Sequence, residues 1–308
     1  MSKKCLDARE EVSAVAFEMP AGACDAHAHV FGPYDAYPLT EDRSYTPREY
    51  LPRDFMRHLE QIGAERGVLV TGSASGLDNG SILNALSEYP DQLRGVIIPS
   101  ADFTDAQLDD WTEMGVRGVR ANLYQVDGRK VYRSGAGLEA VEALAPRLAE
   151  RGWHLQVWIH APDLAGLMPR LESLKLPLVI DHMGRMSTSR GVDDAGFQRL
   201  CGLLAEGRLW TKISGADRNT REGPPYSDVD PYAQAILRAN SEQVVWGTDW
   251  PHINYYDAAH MPDDGVLANL LARWMPDPAM RKRVLIDNPA RLYGFPAGAA
   301  AGTCPEVP

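Results

Sequence analysis

The chain has 308 residues, of which 44% are hydrophobic and 24% charged, with a formal net charge of −11. A length of this order suits one large domain with a sizeable core, because α/β barrels of this size form a single unit. The acidic balance and the lack of a basic stripe exclude a nucleic-acid partner, and no window approaches the ~18 apolar residues that a membrane span requires.

Cys5, Cys24, Cys201 and Cys304 are far apart with no Cys-x-x-Cys pair, so no disulfide framework is expected. Met1-Ser2-Lys3-Lys4 is not followed by the apolar segment of a leader, which makes a reducing cytoplasm the expected location. Residues 1–19 read as an N-terminal arm. Beyond it, apolar β-rich runs alternate with amphipathic stretches. The runs 23–31, 67–72, 95–99, 116–123, 154–159, 177–182, 209–214 and 244–250 predict eight strands, with helices at 80–89, 105–114, 138–151, 164–174, 194–206 and 232–239. In one of these helices Leu138, Val141, Leu144 and Leu148 form an apolar face, with Glu139, Glu142, Arg147 and Glu150 between them.

Eight strands alternating with helices predict an α/β fold, the (β/α)8 TIM barrel, over residues 20–296. The small, polar, proline-containing stretch 297–308 is expected to be a flexible tail. The irregular pieces 32–52, 217–230 and 251–264 each follow a strand end, where loops wall a binding site.

The strand ends carry the chemistry. In Cys24-Asp25-Ala26-His27-Ala28-His29 the period of two places His27 and His29 on one face, where two imidazoles can hold a divalent metal or grip an anion. Three further runs end in Asp181-His182, in His160 and in Asp249, so four strands deliver His or Asp to one rim. Asp249 is the candidate general base for a water nucleophile. His27, His29 and His182 are the groups that would polarise a carbonyl, directly or by holding a metal. Arg120, Arg185 and Arg218 stand at or just beyond strand ends. Guanidinium groups match carboxylates and sulfonates bidentately, so these arginines are candidates for binding an anion. Tyr45, Ser73 and Trp158 are candidate wall residues.

In order, the His27-x-His29 pair, Asp181-His182-Met183-Gly184-Arg185, Trp246-Gly247-Thr248-Asp249-Trp250-Pro251-His252 and Asp287-Asn288-Pro289-Ala290-Arg291-Leu292-Tyr293-Gly294 resemble the amidohydrolase superfamily. Within it they are most similar to the 2-pyrone-4,6-dicarboxylate lactonases and the 4-sulfomuconolactone hydrolases. The resemblance covers about residues 20–295. It implies the metal-dependent-hydrolase type of barrel and a hydrolase that opens lactones from aromatic-compound catabolism. It also implies that Asp249 activates water and passes the proton to the leaving group, and that the rim arginines bind substrate carboxylates.

Two positions depart from the lactonase pattern. His160 stands at the end of strand five, where metal-binding relatives carry a histidine and the pyrone-dicarboxylate lactonases do not. With His27, His29 and Asp249 it would complete a metal site, so Zn²⁺ is expected in preference to a metal-free site. Leu123-Tyr124-Gln125-Val126 lacks a further arginine that dicarboxylate lactonases carry beyond the strand-four arginine. Its absence favours a differently shaped anion, such as a sulfonated muconolactone. The expectation is a carboxylic ester hydrolase acting on a small anionic lactone, as a monomer or small homo-oligomer. A decarboxylase or a sugar-acid lactone isomerase would use the same residues, whereas a barrel that had lost catalysis would not keep the His, His and Asp set.

Overall fold

The computed structural model describes residues 2–126, 128–132 and 134–296, and the tail expected at 297–308 lies outside them. Eight parallel strands carry the fold: β1 (Cys24–Ala28), β2 (Arg66–Val70), β3 (Leu93–Ile97), β4 (Val116–Asn122), β5 (His154–Trp158), β6 (Leu178–Ile180), β7 (Trp210–Lys212) and β8 (Val244–Val245). They pair in sequence order. One main helix follows each strand: α1 (Pro52–Ile62), α2 (Gly80–Glu88), α3 (Asp105–Met114), α4 (Leu138–Glu150), α5 (Ala161–Ser173), α6 (Ala195–Ala205), α7 (Asp230–Asn240) and α8 (Asp264–Trp274). This is the (β/α)8 barrel expected from the alternation of strand and helix patterns.

The ring closes between its first and last strands. Ala26 N donates to Trp246 O at 2.8 Å, Asp249 N to His27 O at 2.9 Å and His29 N to Trp250 O at 2.8 Å. These bonds continue past the regular end of β8, so the apolar run 244–250 reads as a longer strand than the two residues that are regular. Two of these eight helices fall outside the expected set. α1 opens on Pro52 and buries Phe55, His58, Leu59 and Ile62, so a histidine interrupts its apolar stripe. α8 starts directly after the rim loop, where the Asp263 carboxylate accepts from Gly265 N and Val266 N.

β1 contains a bulge. Asp25 pairs with Gly67 and Ala28 with Leu69, three residues against two. Cys24 and Ala26 pack with Val68, Val70, Val96, Val179 and Val245 in the inner layer of the barrel, so strict alternation would turn His27 outward. The extra residue shifts the phase and aims both His27 and His29 inward. Tyr293 and Phe295, at and just beyond the end of the terminal helix Asn288–Tyr293, join the same layer. The expected arm is docked: Lys3–Lys4 pairs with Tyr45–Thr46, and Ser13 binds Asp263 through both its N–H and its hydroxyl.

Gly247 allows the closing segment to lie against β1. A Cβ at this position would sit 2.5 Å from His27 N and 2.7 Å from His27 Cβ. Gly247→Ala is therefore expected to lower stability by about 1–3 kcal/mol through overpacking. Urea denaturation provides the check, and a midpoint unchanged from the parent protein would show that β1 yields at this contact.

Candidate active site

A small cavity opens at the C-terminal rim, lined by His29, Tyr45, Ser73, Arg120, Tyr132, Trp158, His182, Arg218, Asp249 and Ile253. All but Tyr132 and Ile253 are residues singled out from the sequence. Asp249 lies at its centre. Its Oδ1 faces His29 Nε2 at 3.2 Å, His27 Nε2 at 3.7 Å and His182 Nε2 at 3.9 Å, while its Oδ2 accepts from Arg218 Nε at 2.7 Å. Burial opposes charge on Asp249, but Arg218, followed by His182 and His29, outweighs it and holds the carboxyl well below the usual range.

The backbone is strained where these groups converge. His182, Arg185 and Asp249 have φ of 53°, 55° and 67°, a left-handed conformation that costs a non-glycine residue about 1–3 kcal/mol and that clusters at functional sites. The turn after β6 aims His182 inward, and its Nδ1 meets Ser214 Oγ at 2.9 Å. His29 Nδ1 donates to Val70 O at 2.6 Å.

A layer of charge lies below the cavity, in which Lys212 and Gln156 join Asp181 and Arg120 without having been marked as site residues by the sequence. Asp181, at the end of β6, accepts from Arg120 Nε and Gln156 Nε2, each at 3.1 Å. Lys212, at the end of β7, donates to Ala26 O at 2.9 Å and Gln156 Oε1 at 2.8 Å, and reaches His27 Nδ1 at 3.1 Å. Both Asp181 and Lys212 are fully buried. Burial pulls the lysine down to about 8, with Asp181 opposing. Its signal in the sequence was a lysine two residues after Trp210, on the same face of the strand.

Tyr132 was missed for a different reason. It comes from the segment after β4, which folds over the cavity and is held by Ser134 Oγ donating to Ser73 O and by Asn254 Nδ2 donating to Tyr132 Oη, both at 2.6 Å. Its ring stacks on Trp158 and meets Tyr45, forming an aromatic wall.

Three expected site residues lie elsewhere than the cavity lining. His27 is fully buried directly below it. Arg185 sits one layer back, donating to the Arg218 carbonyl and to Asn219 Oδ1, with its guanidinium 5.8 Å from the Tyr124 ring centre. It buttresses the turn that carries Arg218. His160 is the larger correction. β5 ends at Trp158, so His160 becomes the residue that precedes α5 and borders a separate pocket with Leu123, Tyr124 and Asp163. Tyr124 stacks on Trp158 and separates His160 from the cavity.

The zinc site expected with His160 therefore loses one ligand. His27, His29 and Asp249 each bring one donor atom within 4.8 Å of one another, as do His27, Asp181 and His182. A cation needs a lone pair from each nitrogen that binds it. His29 donates from Nδ1 to Val70 O, so its Nε2 can supply one only by giving up the bond to Asp249 Oδ1 at 3.2 Å. His27 cannot while Lys212 donates to its Nδ1, since the ring proton is then on Nε2. With the proton placed so, the residues do not fit zinc, whereas a proton on Nδ1, donated to Asp181 Oδ1 at 3.3 Å, would leave Nε2 able to bind it.

The sequence profile of the amidohydrolase family matches residues 24–295, across all eight strands and the site. The chain belongs to the amidohydrolase family. It is 38% identical over 291 residues to the 4-sulfomuconolactone hydrolase of Rhizobium radiobacter, covering 94% of this chain and 96% of that protein. It is 35% identical over 286 residues to the 2-pyrone-4,6-dicarboxylate hydrolase of Comamonas testosteroni, covering 90% and 92%. A solved structure described as a probable 2-pyrone-4,6-dicarboxylic acid hydrolase of Acinetobacter baumannii, with citric acid bound, superposes with a TM-score of 0.73 at 27% identity, covering 89% of this chain and all of the other.

The buried histidines of this amidohydrolase couple its stability to pH. Burial pulls His182 from 6.5 down to about 4, against the pull of Asp249 and Asp181. In that window the unfolded chain binds a proton that the folded chain refuses, so stability falls as pH falls. The loss from His182 alone is about 2 kcal/mol between about pH 7 and pH 5. His27 and His154, also lowered by burial, add to it, whereas His252, raised because Asp264 outweighs burial, opposes it. His182→Gln is expected to flatten the dependence by that amount, measured by urea denaturation at the two pH values.

Proposed function

We propose that this amidohydrolase is a carboxylic ester hydrolase that opens a small anionic lactone of aromatic-compound catabolism, acting in the cytoplasm. The observation that carries this reading is the Asp249 carboxylate, set between three imidazoles and the Arg218 guanidinium in an aromatic-walled cavity with Arg120 on its lining. The relatives named as 4-sulfomuconolactone and 2-pyrone-4,6-dicarboxylate hydrolases support it. The missing arginine in 123–126 favours a sulfonated muconolactone over the planar dicarboxylate.

In this reading the substrate anion docks on Arg120 and Arg218. Drawing Arg218 toward the substrate weakens its 2.7 Å bond to Asp249 and raises the basicity of that carboxylate. Asp249 then takes a proton from water as the oxygen attacks the lactone carbonyl. His27 and His182 donate to the developing oxyanion, and the ring C–O bond breaks as the proton passes to the leaving oxygen. The products are one carboxylate and one hydroxyl or its keto form, and the second proton of the water leaves the new carboxylic acid for solvent. No step uses a metal, and Arg185 acts only through the turn that bears Arg218.

Ring opening is measured by proton release across sulfomuconolactone, muconolactone, pyrone dicarboxylate and sugar lactones. Asp249→Asn should lower kcat by about 10²–10⁴-fold while leaving substrate binding in place, and a variant retaining a tenth of the parent rate would move the base elsewhere. Arg218→Met should raise KM for charged lactones by an amount equivalent to ~1.5–3 kcal/mol, the scale of a hydrogen bond to a charged group. Arg185→Met should have a smaller effect, and wild-type kinetics in the Arg218 variant would remove the anion-binding role. Solvent ¹⁸O should enter the product carboxylate, whereas a lactone isomerase would leave it unlabelled. Activity should survive a strong chelator in protein carrying well below one equivalent of zinc, and loss reversed by added zinc would overturn the metal-free mechanism.

A further inference from the structure

Lys212 carries its amine at the centre of the barrel, fully buried. Burying an ammonium is costly unless each of its three N–H groups finds an acceptor. Ala26 O at 2.9 Å is a backbone carbonyl and takes one. Gln156 uses its amide nitrogen on Asp181, so its Oε1 faces Lys212 at 2.8 Å and takes the second. The third lies toward His27 Nδ1 at 3.1 Å. A ring nitrogen that accepts a proton donor cannot carry its own proton, so a neutral His27 holds its hydrogen on Nε2.

We infer that Lys212 is a positioning residue that holds His27 as its Nε2–H tautomer, so that His27 offers the cavity a proton donor instead of a metal-binding lone pair. His27 Nε2 lies 3.7 Å from Asp249 Oδ1, buried and without a hydrogen-bond partner of its own. Such an orphaned buried donor is costly in the resting site and is satisfied when a substrate oxygen arrives. The competing partner for Nδ1 is Asp181 Oδ1, at 3.3 Å from the ring and 3.5 Å from Lys212. That oxygen makes no hydrogen bond in this arrangement, whereas Oδ2 accepts two. Without the lysine, Nδ1 would take the proton and donate it to Asp181. The lone pair on Nε2 would then face His29 and Asp249 as a zinc ligand. One amine thereby turns the Nε2 of His27 from a metal-binding lone pair into a proton donor.

The inference rests on the same cluster as the proposed lactone chemistry but needs no lactone to test it. In protein carrying ¹⁵N-labelled histidine, with the His27 signals identified by their loss in His27→Gln, the parent protein should show a protonated Nε2 and an unprotonated Nδ1. In Lys212→Met the proton should move to Nδ1, and calorimetric titration with zinc should show binding about 10–100-fold tighter, the usual influence of a group behind a metal ligand. Lys212→Arg should restore the parental tautomer. A parent spectrum with the proton on Nδ1 overturns the inference, as does a folded Lys212→Met with unchanged tautomer and unchanged zinc affinity. If Lys212→Met does not fold, the parent spectrum decides alone. Protein that opens no lactone but shows the Nε2–H ring sinks the lactonase reading and supports this one, while active protein with the Nδ1–H ring does the reverse.

Discussion

Closing the barrel and assembling the site are one event. The backbone bond from Asp249 N to His27 O belongs to the seam between the last and first strands, and it places the central carboxylate beside the first histidine. The neighbouring bonds at Ala26 and His29 fix the register of the same seam. A one-residue slip there would turn inward-facing side chains outward. The bulge in β1 and the missing side chain at Gly247 make this closure possible with an imidazole inside. Site geometry is therefore as rigid as the barrel itself, which suits chemistry that depends on preorganised donors.

The interior handles charge in two tiers. The upper tier is Asp249 with Arg218, His29 and His182, which line the cavity, and His27 directly beneath them. The lower tier is Asp181 with Arg120, Gln156 and Lys212, of which all but Arg120 are sealed from solvent. Removing one partner of such a buried set leaves an uncompensated charge and costs about 3–5 kcal/mol, so the lower tier is a poor place for variation and a firm base for His27. Arg120 joins the two tiers, holding Asp181 while it borders the cavity. In a molecule with a net charge of −11, this arrangement gathers the Arg120 and Arg218 guanidinium groups at the cavity.

Outside the barrel wall a second buried group supports the same loop. His252 Nε2 meets Asp264 Oδ1 at 2.8 Å, tying the segment after Asp249 to the start of α8. His58 of α1 lies between Asp264 and Asp25 and stacks on Trp250. Asp25 accepts from Thr248 through both backbone and side chain. This explains why a histidine interrupts the apolar stripe of α1: it packs on a polar seam, where an aliphatic side chain would leave the two carboxylates with fewer partners.

The sequence by itself determined the barrel, because eight β-rich runs separated by helical patterns admit few other architectures. It also determined most of the cavity lining, because chemistry at the ends of parallel strands is written as an acid, a histidine or an arginine where an apolar run stops. Periodicity could not reveal where a strand breaks its own rule. The His27 and His29 pair shares a face in any strand, but only the bulge decides that the face is the inner one. His160 follows its strand by two residues and has the spacing of an inward ligand, yet the chain has already turned into α5 and Tyr124 covers it. Tyr132 reaches the cavity from a loop whose path depends on contacts with Ser73 and Asn254, more than 50 residues away in sequence. Lys212 reads as the one charge in a short strand until the other strands surround it. Its hydrogen-bond partners, and so the proton position on His27, exist only once β1, β5 and β7 meet. Spacing encodes which residues reach the rim, whereas the choice between a lone pair and a proton at an imidazole depends on partners that only tertiary packing supplies.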